Sequence, residues 1–206
     1  MMIQTCLLLS ILSACTTATP GEPVPETLHA RLATPTRLLI APGASTGAIT
    51  VGHYAEGGWQ RTRVALPIET GAVTAMRDAR DRLVVTEFGL GLAPLALSAA
   101  NATQLSHVRL ELSAPAIADT AWRDVDSASA TTSLALALHW QLTVDGASSP
   151  LSDQAFPAVP LELALDGDGT GATGALTIAA PGKLWSWASL VELDDLALSL
   201  TAATTD

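Results

Sequence analysis

The chain has 206 residues, of which 49% are hydrophobic, 15% charged and 4% aromatic, and its mean hydropathy is +0.36. This length fits one domain, and the apolar content excludes a disordered chain, which needs low hydrophobicity and dense charge. Ten basic against twenty acidic residues leave a formal charge of −10, which excludes an electrostatic grip on nucleic acid or anionic lipid headgroups.

The chain opens with an apolar stretch from Ile3 to Ala14. It is shorter than the ~20 helical residues that cross a bilayer, and it has the length of a signal-peptide core followed by small residues. Its end, Leu12-Ser13-Ala14-Cys15, resembles the lipobox of bacterial lipoproteins. The resemblance covers about the first twenty residues, and Met1–Thr5 lacks the basic residues usual at such a start. It implies a signal peptide over residues 1–14, cleavage ahead of Cys15, and acylation of Cys15 as the lipid-attachment residue. The expected membrane partner is then the bilayer, through N-terminal acyl chains alone, each buried CH₂ contributing ~0.8 kcal/mol. Thr16 is not the Asp linked to inner-membrane retention in enterobacterial lipoproteins, so the resemblance implies the outer membrane of the cell envelope. The other cysteine, Cys6, lies in the removed segment. No disulfide is therefore expected within the mature domain.

Residues 15–36 read as a Pro/Thr-rich tether. Thr16 to Glu26 has no apolar period, and Pro20, Pro23 and Pro25 favour extended backbone at ~3.1 Å per residue.

Residues 37–206 read as the folded domain, and their dominant signal is period two. Leu134, Leu136, Leu138, Trp140, Leu142 and Val144 alternate with Ala135, Ala137, His139, Gln141 and Thr143, then stop at Asp145-Gly146. A strand sends one set to the core and the other to the opposite face. Val108, Leu110 and Leu112 alternate with His107, Arg109 and Glu111, and Leu161–Leu165 and Leu196–Leu200 repeat the pattern. Further strands are expected at 37–41, 47–54, 58–66, 71–77, 82–92 and 174–180, separated by Gly, Pro and Asp turns. Residues 183–195 fit either a strand or a helix. About ten short strands with little helix predict an all-β fold, an antiparallel sandwich or strongly curved sheet. A spanning helix over 88–108 is disfavoured by Pro94, Asn101 and Gln104. One Tyr and two Phe cannot form the aromatic girdles of a transmembrane barrel.

Candidate chemistry is sparse. Gly43-Ala44-Ser45-Thr46-Gly47 spells G-x-S-x-G, but the nucleophile elbow needs a helix directly after Ser45, and Ala48–Gly52 reads as a strand. His139 with Asp119 or Asp124 offers the triad partners that any protein of this size supplies. Asp166-Gly-Asp-Gly-Thr-Gly171 matches the start of an EF-hand loop, yet Thr177 stands where a bidentate Glu should close the shell. A turn is the favoured reading there. His29, His53, His107 and His139 show no metal-ligand spacing. Asp119, Asp124 and Asp126 around Trp122 read as a solubilising loop. Trp185 and Trp187 could line a sugar or lipid site, but core filling, by Trp140 and Trp187, is the favoured reading.

The resulting expectation is a lipid-anchored envelope lipoprotein with a non-catalytic binding or structural β-domain. It has no catalytic residue, metal, cofactor or nucleic-acid partner. The alternative is a carrier whose curved strands enclose an apolar cavity of a few hundred Å³. A remoter one is a serine hydrolase, which requires Ser45 within hydrogen-bond reach of a histidine.

Overall fold

Alternating apolar residues become one buried row per strand. A computed structural model describes residues 25–55, 58–98, 103–187 and 191–205, without the side chains of residues 55, 98, 185 and 187. A single helical turn, α1 (Leu28–Arg31), precedes β1 (Thr36–Ile40), β2 (Thr46–Ala55), β3 (Gly58–Ala65), β4 (Ile68–Arg77) and β5 (Leu83–Leu92). Then follow β6 (Leu95–Ser98), β7 (Thr103–Leu112), β8 (Ala116–Ile117), β9 (Asp119–Trp122) and β10 (Ser127–Val144). The chain ends with β11 (Ala147–Ser148), β12 (Ser152–Gly167), β13 (Ala172–Trp187) and β14 (Val191–Ala203).

Every pairing is antiparallel, and neighbours run β1-β4-β5-β7-β10-β12-β13-β14. Leu39 and Ile40 of β1 then pair with Ala203 and Ala202 of β14, which closes the eight strands into a barrel. The all-β expectation holds, and the curved sheet curls until its edges meet. Closure removes two edges that would otherwise template further pairing. Strand lengths make the barrel long on one side: β10 has 18 residues and β12 and β13 have 16 each. Of the segment that fitted strand or helix, residues 183–187 and 191–195 are strand, in β13 and β14.

The buried residues are mostly apolar, with Thr36, Thr74, Thr103 and Asp194 as polar exceptions among the described residues. Leu38, Val73, Val85, Leu110, Leu134, Leu136, Leu161, Leu176, Ile178 and Leu200 are buried to 3% exposure or less. An eight-stranded barrel has an interior just wide enough for side chains to fill. Burying each such side chain contributes ~1.5–3 kcal/mol. The outward rows of β7 and β10 carry Gln104, Arg109, Glu111, Ser129, Thr131, His139, Gln141 and Thr143. Apolar inside and polar outside is the reverse of a barrel that faces lipid.

The two ends differ. At the end where β1 begins and β14 finishes, α1 acts as a plug. Its Leu28 and the following Leu32 are both fully buried, as an i, i+4 pair on one helical face should be. The Thr27 hydroxyl caps the turn by accepting from the Ala30 N–H at 3.2 Å, and Asp126 accepts from the Leu28 N–H at 2.9 Å. Gly167 is required beneath it, because a Cβ there would stand 2.9 Å from Leu28 Cβ. The predicted tether therefore ends earlier than residue 36, since Leu28 and Leu32 hold this segment to the barrel. Asp119–Trp122, expected in a loop, forms β9 on β10, while Asp124 and Asp126 stay in the loop.

β2 pairs with β14 from Val191 to Ser199, and its hairpin with β3 carries the sheet out of the barrel toward the opposite end. Bulges mark the bend on both supporting strands. One is at Ala180/Lys183 of β13, where Gly182 has φ +84°, and the other is at Asp194/Ala197 of β14, where Asp195 has φ +50°. The Asp195 carboxylate accepts from the Gly182 N–H at 2.8 Å, locking the two bulges together.

Candidate functional site

The barrel interior offers little room. A cavity between Ile49, Leu66, Leu105, Phe156, Leu193 and Leu196 among others holds about 40 Å³ and is lined by apolar side chains. That compares with ~30 Å³ for one water in the liquid and ~300–1,000 Å³ for a ligand pocket.

The outer surface is where polar groups converge. β7, β10 and β12 lie side by side, and their register places Arg109, His139 and Asp153 on one rung. His139 Nδ1 lies 2.6 Å from Asp153 Oδ1, and Nε2 lies 3.7 Å from Glu111 Oε2. Arg109 Nη1 stands 4.0 Å from Glu111 Oε1. The imidazole thus sits between two carboxylates with about a third of its side chain exposed.

This cluster borders a groove of about 820 Å³ whose walls include Glu69, His107, Gln141 and Leu151. A second groove of about 680 Å³, reaching Arg37 and Glu87, adjoins it and shares Glu69, Thr70, Gly91, Arg109 and Glu111. β5 makes the shared floor low. In Gly89-Leu90-Gly91 the leucine points into the core, and a Cβ on Gly89 would meet nothing within 4 Å. A bulge in β7 shapes the far wall: β10 pairs His139 with Arg109 and then Gln141 with Ser106. The extra residue gives His107 a φ of +54° and turns it outward while Val108 stays buried. Bulges re-aim side chains in this way.

The residues singled out from sequence lie apart from this site, His107 and His139 excepted. Cys15 falls outside the described residues. Ser45 caps a 3₁₀ turn (Pro42–Ala44), and its hydroxyl accepts the Thr201 N–H at 3.0 Å. The strand β2 begins at the next residue, so the strand–turn–helix of a nucleophile elbow is not formed. Asp166–Gly171 is the β12–β13 turn. Asp168 Oδ1 accepts from the Gly171 N–H at 2.8 Å, the Thr170 hydroxyl at 2.8 Å and the Thr170 N–H at 2.9 Å. These donors, Gly171 foremost, hold its pKa down at about 2. The carboxylate is spent on its own turn. Asp78 is lowered to about 2 in the same way, by the Arg82 N–H first and then the Arg82 guanidinium.

His29 packs edge-on against Trp122 at 4.8 Å and faces Asp81 at 3.5 Å. His53 is half-buried on β2, its Nδ1 without a partner among the described residues. Trp140 is in the core at 6% exposure, whereas the side chains of Trp185 and Trp187 lie outside the described set. Among the described residues no group of three or more His, Cys, Asp or Glu is arranged to hold a metal.

Sequence reasoning missed the Arg109–His139–Asp153 rung, although alternation already put Arg109, Glu111 and His139 on polar faces. Only the register between strands 14 to 30 residues apart joins them. Comparison with protein-family models, curated proteins and solved structures finds no match to this chain.

Proposed function

We propose that this protein is a lipid-anchored component of a bacterial cell envelope whose β-barrel is a non-catalytic binding module that works through its outer surface. The observation that supports this reading most is the contrast between inside and outside. The apolar cavity inside holds about 40 Å³, while the outer grooves offer about 820 and 680 Å³ lined by imidazole, guanidinium and carboxylate groups. Small specific sites combine concavity with a few convergent polar groups, and that combination is on the outside here. The anchoring half of the reading is supported by Leu12-Ser13-Ala14-Cys15. The membrane contact is acyl chains on Cys15, and the outer membrane is the site.

A titration with a fluorescent long-chain fatty acid such as cis-parinaric acid tests the surface-binding half. The expected result is no saturable uptake, because a long acyl chain needs several hundred Å³ of enclosed apolar space. Saturable one-to-one uptake that Leu134→Trp abolishes would make the barrel a carrier.

A further inference from the structure

The His139 rung leaves one hydrogen-bonding conflict unresolved. A carboxylate only accepts, so Asp153 Oδ1, at 2.6 Å, draws the proton of a neutral His139 to Nδ1. Nε2 is then an acceptor too, and it faces another, Glu111 Oε2, at 3.7 Å. Nε2 forms no hydrogen bond among the described residues. Arg109 does not relieve the pair, since its Nη1 stands 4.0 Å from the other oxygen, Glu111 Oε1. Two acceptors facing each other call for a donor from outside. His139 and Glu111 are 35% and 48% exposed, so a solute reaches the gap.

The groove of about 820 Å³ around this gap is acidic. Its charged walls are Glu69 of β4, Arg109 and Glu111 of β7 and Asp153 of β12. Three carboxylates against one guanidinium give a formal −2 with His107 and His139 neutral. β5 adds only Gly91 and Leu92, and β10 adds Gln141 beside His139. Leu92, Pro94 and Leu151 give the same walls an apolar share. The floor has its main chain in use, because Gly91 is paired on both sides, with Thr70 and with Arg109. A peptide laid there would find few partners for its amides. A chain of methylenes and ammonium groups needs none.

We propose that this groove binds a linear aliphatic polyamine at neutral pH, with one ammonium bridging His139 Nε2 and Glu111 Oε2, and loses affinity for it on acidification. The inference rests on the proposed role of the outer surface and names its ligand. An alkylammonium has three N–H donors and no acceptor, so one group bonds both atoms, and its bond to the carboxylate is charge-assisted. Glu69 and Asp153 serve the further ammonium groups, while the methylenes lie on Leu92, Pro94 and Leu151. Acid reverses this. Imidazole is the side chain that ordinarily changes charge between pH 5 and 8. A protonated His139 carries N–H on both nitrogens, so Nε2 itself donates to Glu111 and takes the ligand's place. With His107 protonated as well, the formal charge of the groove rises from −2 to 0. The ligand keeps its own charge throughout, as alkylammonium groups titrate only near pH ~10.

The test titrates the full chain, in nonionic detergent and at physiological ionic strength, with spermine and with triethylene glycol as a neutral chain. Calorimetry at pH 7.5 and 5.5 brackets the imidazole range. The expected result is saturable spermine binding at pH 7.5, at least about threefold weaker at pH 5.5 and at least about threefold weaker in Glu111→Gln. His139→Gln keeps an acceptor but does not titrate, so the pH effect should shrink below about twofold, the remainder coming from His107. Both substitutions lie on the outer face and leave the buried rows intact. Absence of saturation at pH 7.5, or affinity that holds or rises at pH 5.5, overturns the proposal. So does Glu111→Gln binding like wild type, His139→Gln keeping the whole pH effect, or triethylene glycol binding as tightly as spermine. Spermine held merely by the chain's net charge of −10 would show as binding that neither variant changes. Failure of the surface-binding reading itself is seen separately, as saturable fatty-acid uptake by the barrel.

Discussion

Asp168 shows how a single carboxylate is committed to structure rather than chemistry. Three donors from Thr170 and Gly171 lower its pKa from 3.8 to about 2. A lowered native value means the folded state favours the ionised form. The stabilisation is complete above pH 3.8 and is lost as the pH falls through about 2. Asp168→Asn keeps an acceptor for the turn but does not titrate. Its urea midpoint should lie below that of the wild type by a constant amount above pH 4, and the gap should close between 3.8 and 2. A gap that stays constant down to pH 2 would show that the turn does not depend on the charge. The same residue marks the limit of motif reading. The Asp-Gly-Asp-Gly spelling is shared by a cation loop and a tight turn, and only the direction of the Asp168 oxygens separates them.

Elements were legible wherever one face is wet and the other dry. β10 was read almost residue by residue because Leu134, Leu136, Trp140 and Leu142 are buried while the residues between them face outward. α1 was missed because a four-residue helix shows too little periodicity, and the Pro-rich stretch before it resembles a linker. Leu28 and Leu32 were its signal, an i, i+4 apolar pair ahead of the first strand. That plug is a specific commitment. Leu28→Ala should cost about 2–5 kcal/mol in urea unfolding, the range for emptying a fully buried leucine site. It should leave the distal hairpin's tryptophan emission unchanged. A loss near zero would return Leu28 to the tether. The β2–β3 hairpin shows another element-scale device. β3 is the free edge of the sheet path, and its Arg61 and Arg63 are the kind of charge that discourages edge-to-edge pairing.

For the whole molecule, the sequence revealed the class and left the closure hidden. Strand content and alternation follow from local pattern, but nothing local says that Leu39 and Ile40 meet Ala203 and Ala202. Contacts between residues more than 160 positions apart are set by strand twist and by the volume of the leucines inside. The candidate site was hidden for the same reason, since Arg109, His139 and Asp153 are neighbours only through the register of three strands. Closure, a filled interior and a polar exterior together move the expected work of the protein to its outside. The proposal adds an attachment point, Cys15, ahead of α1 in the chain. This arrangement has meaning only if Cys15 is the point of attachment. The most direct measurement is the intact mass of the protein from the membrane fraction, wild type against Cys15→Ala. The account expects a wild-type chain beginning at Cys15 with added acyl mass, and a variant that lacks this mass and is released from the membrane fraction. An unacylated wild-type chain, or a Cys15→Ala chain held as firmly to the membrane, would contradict it.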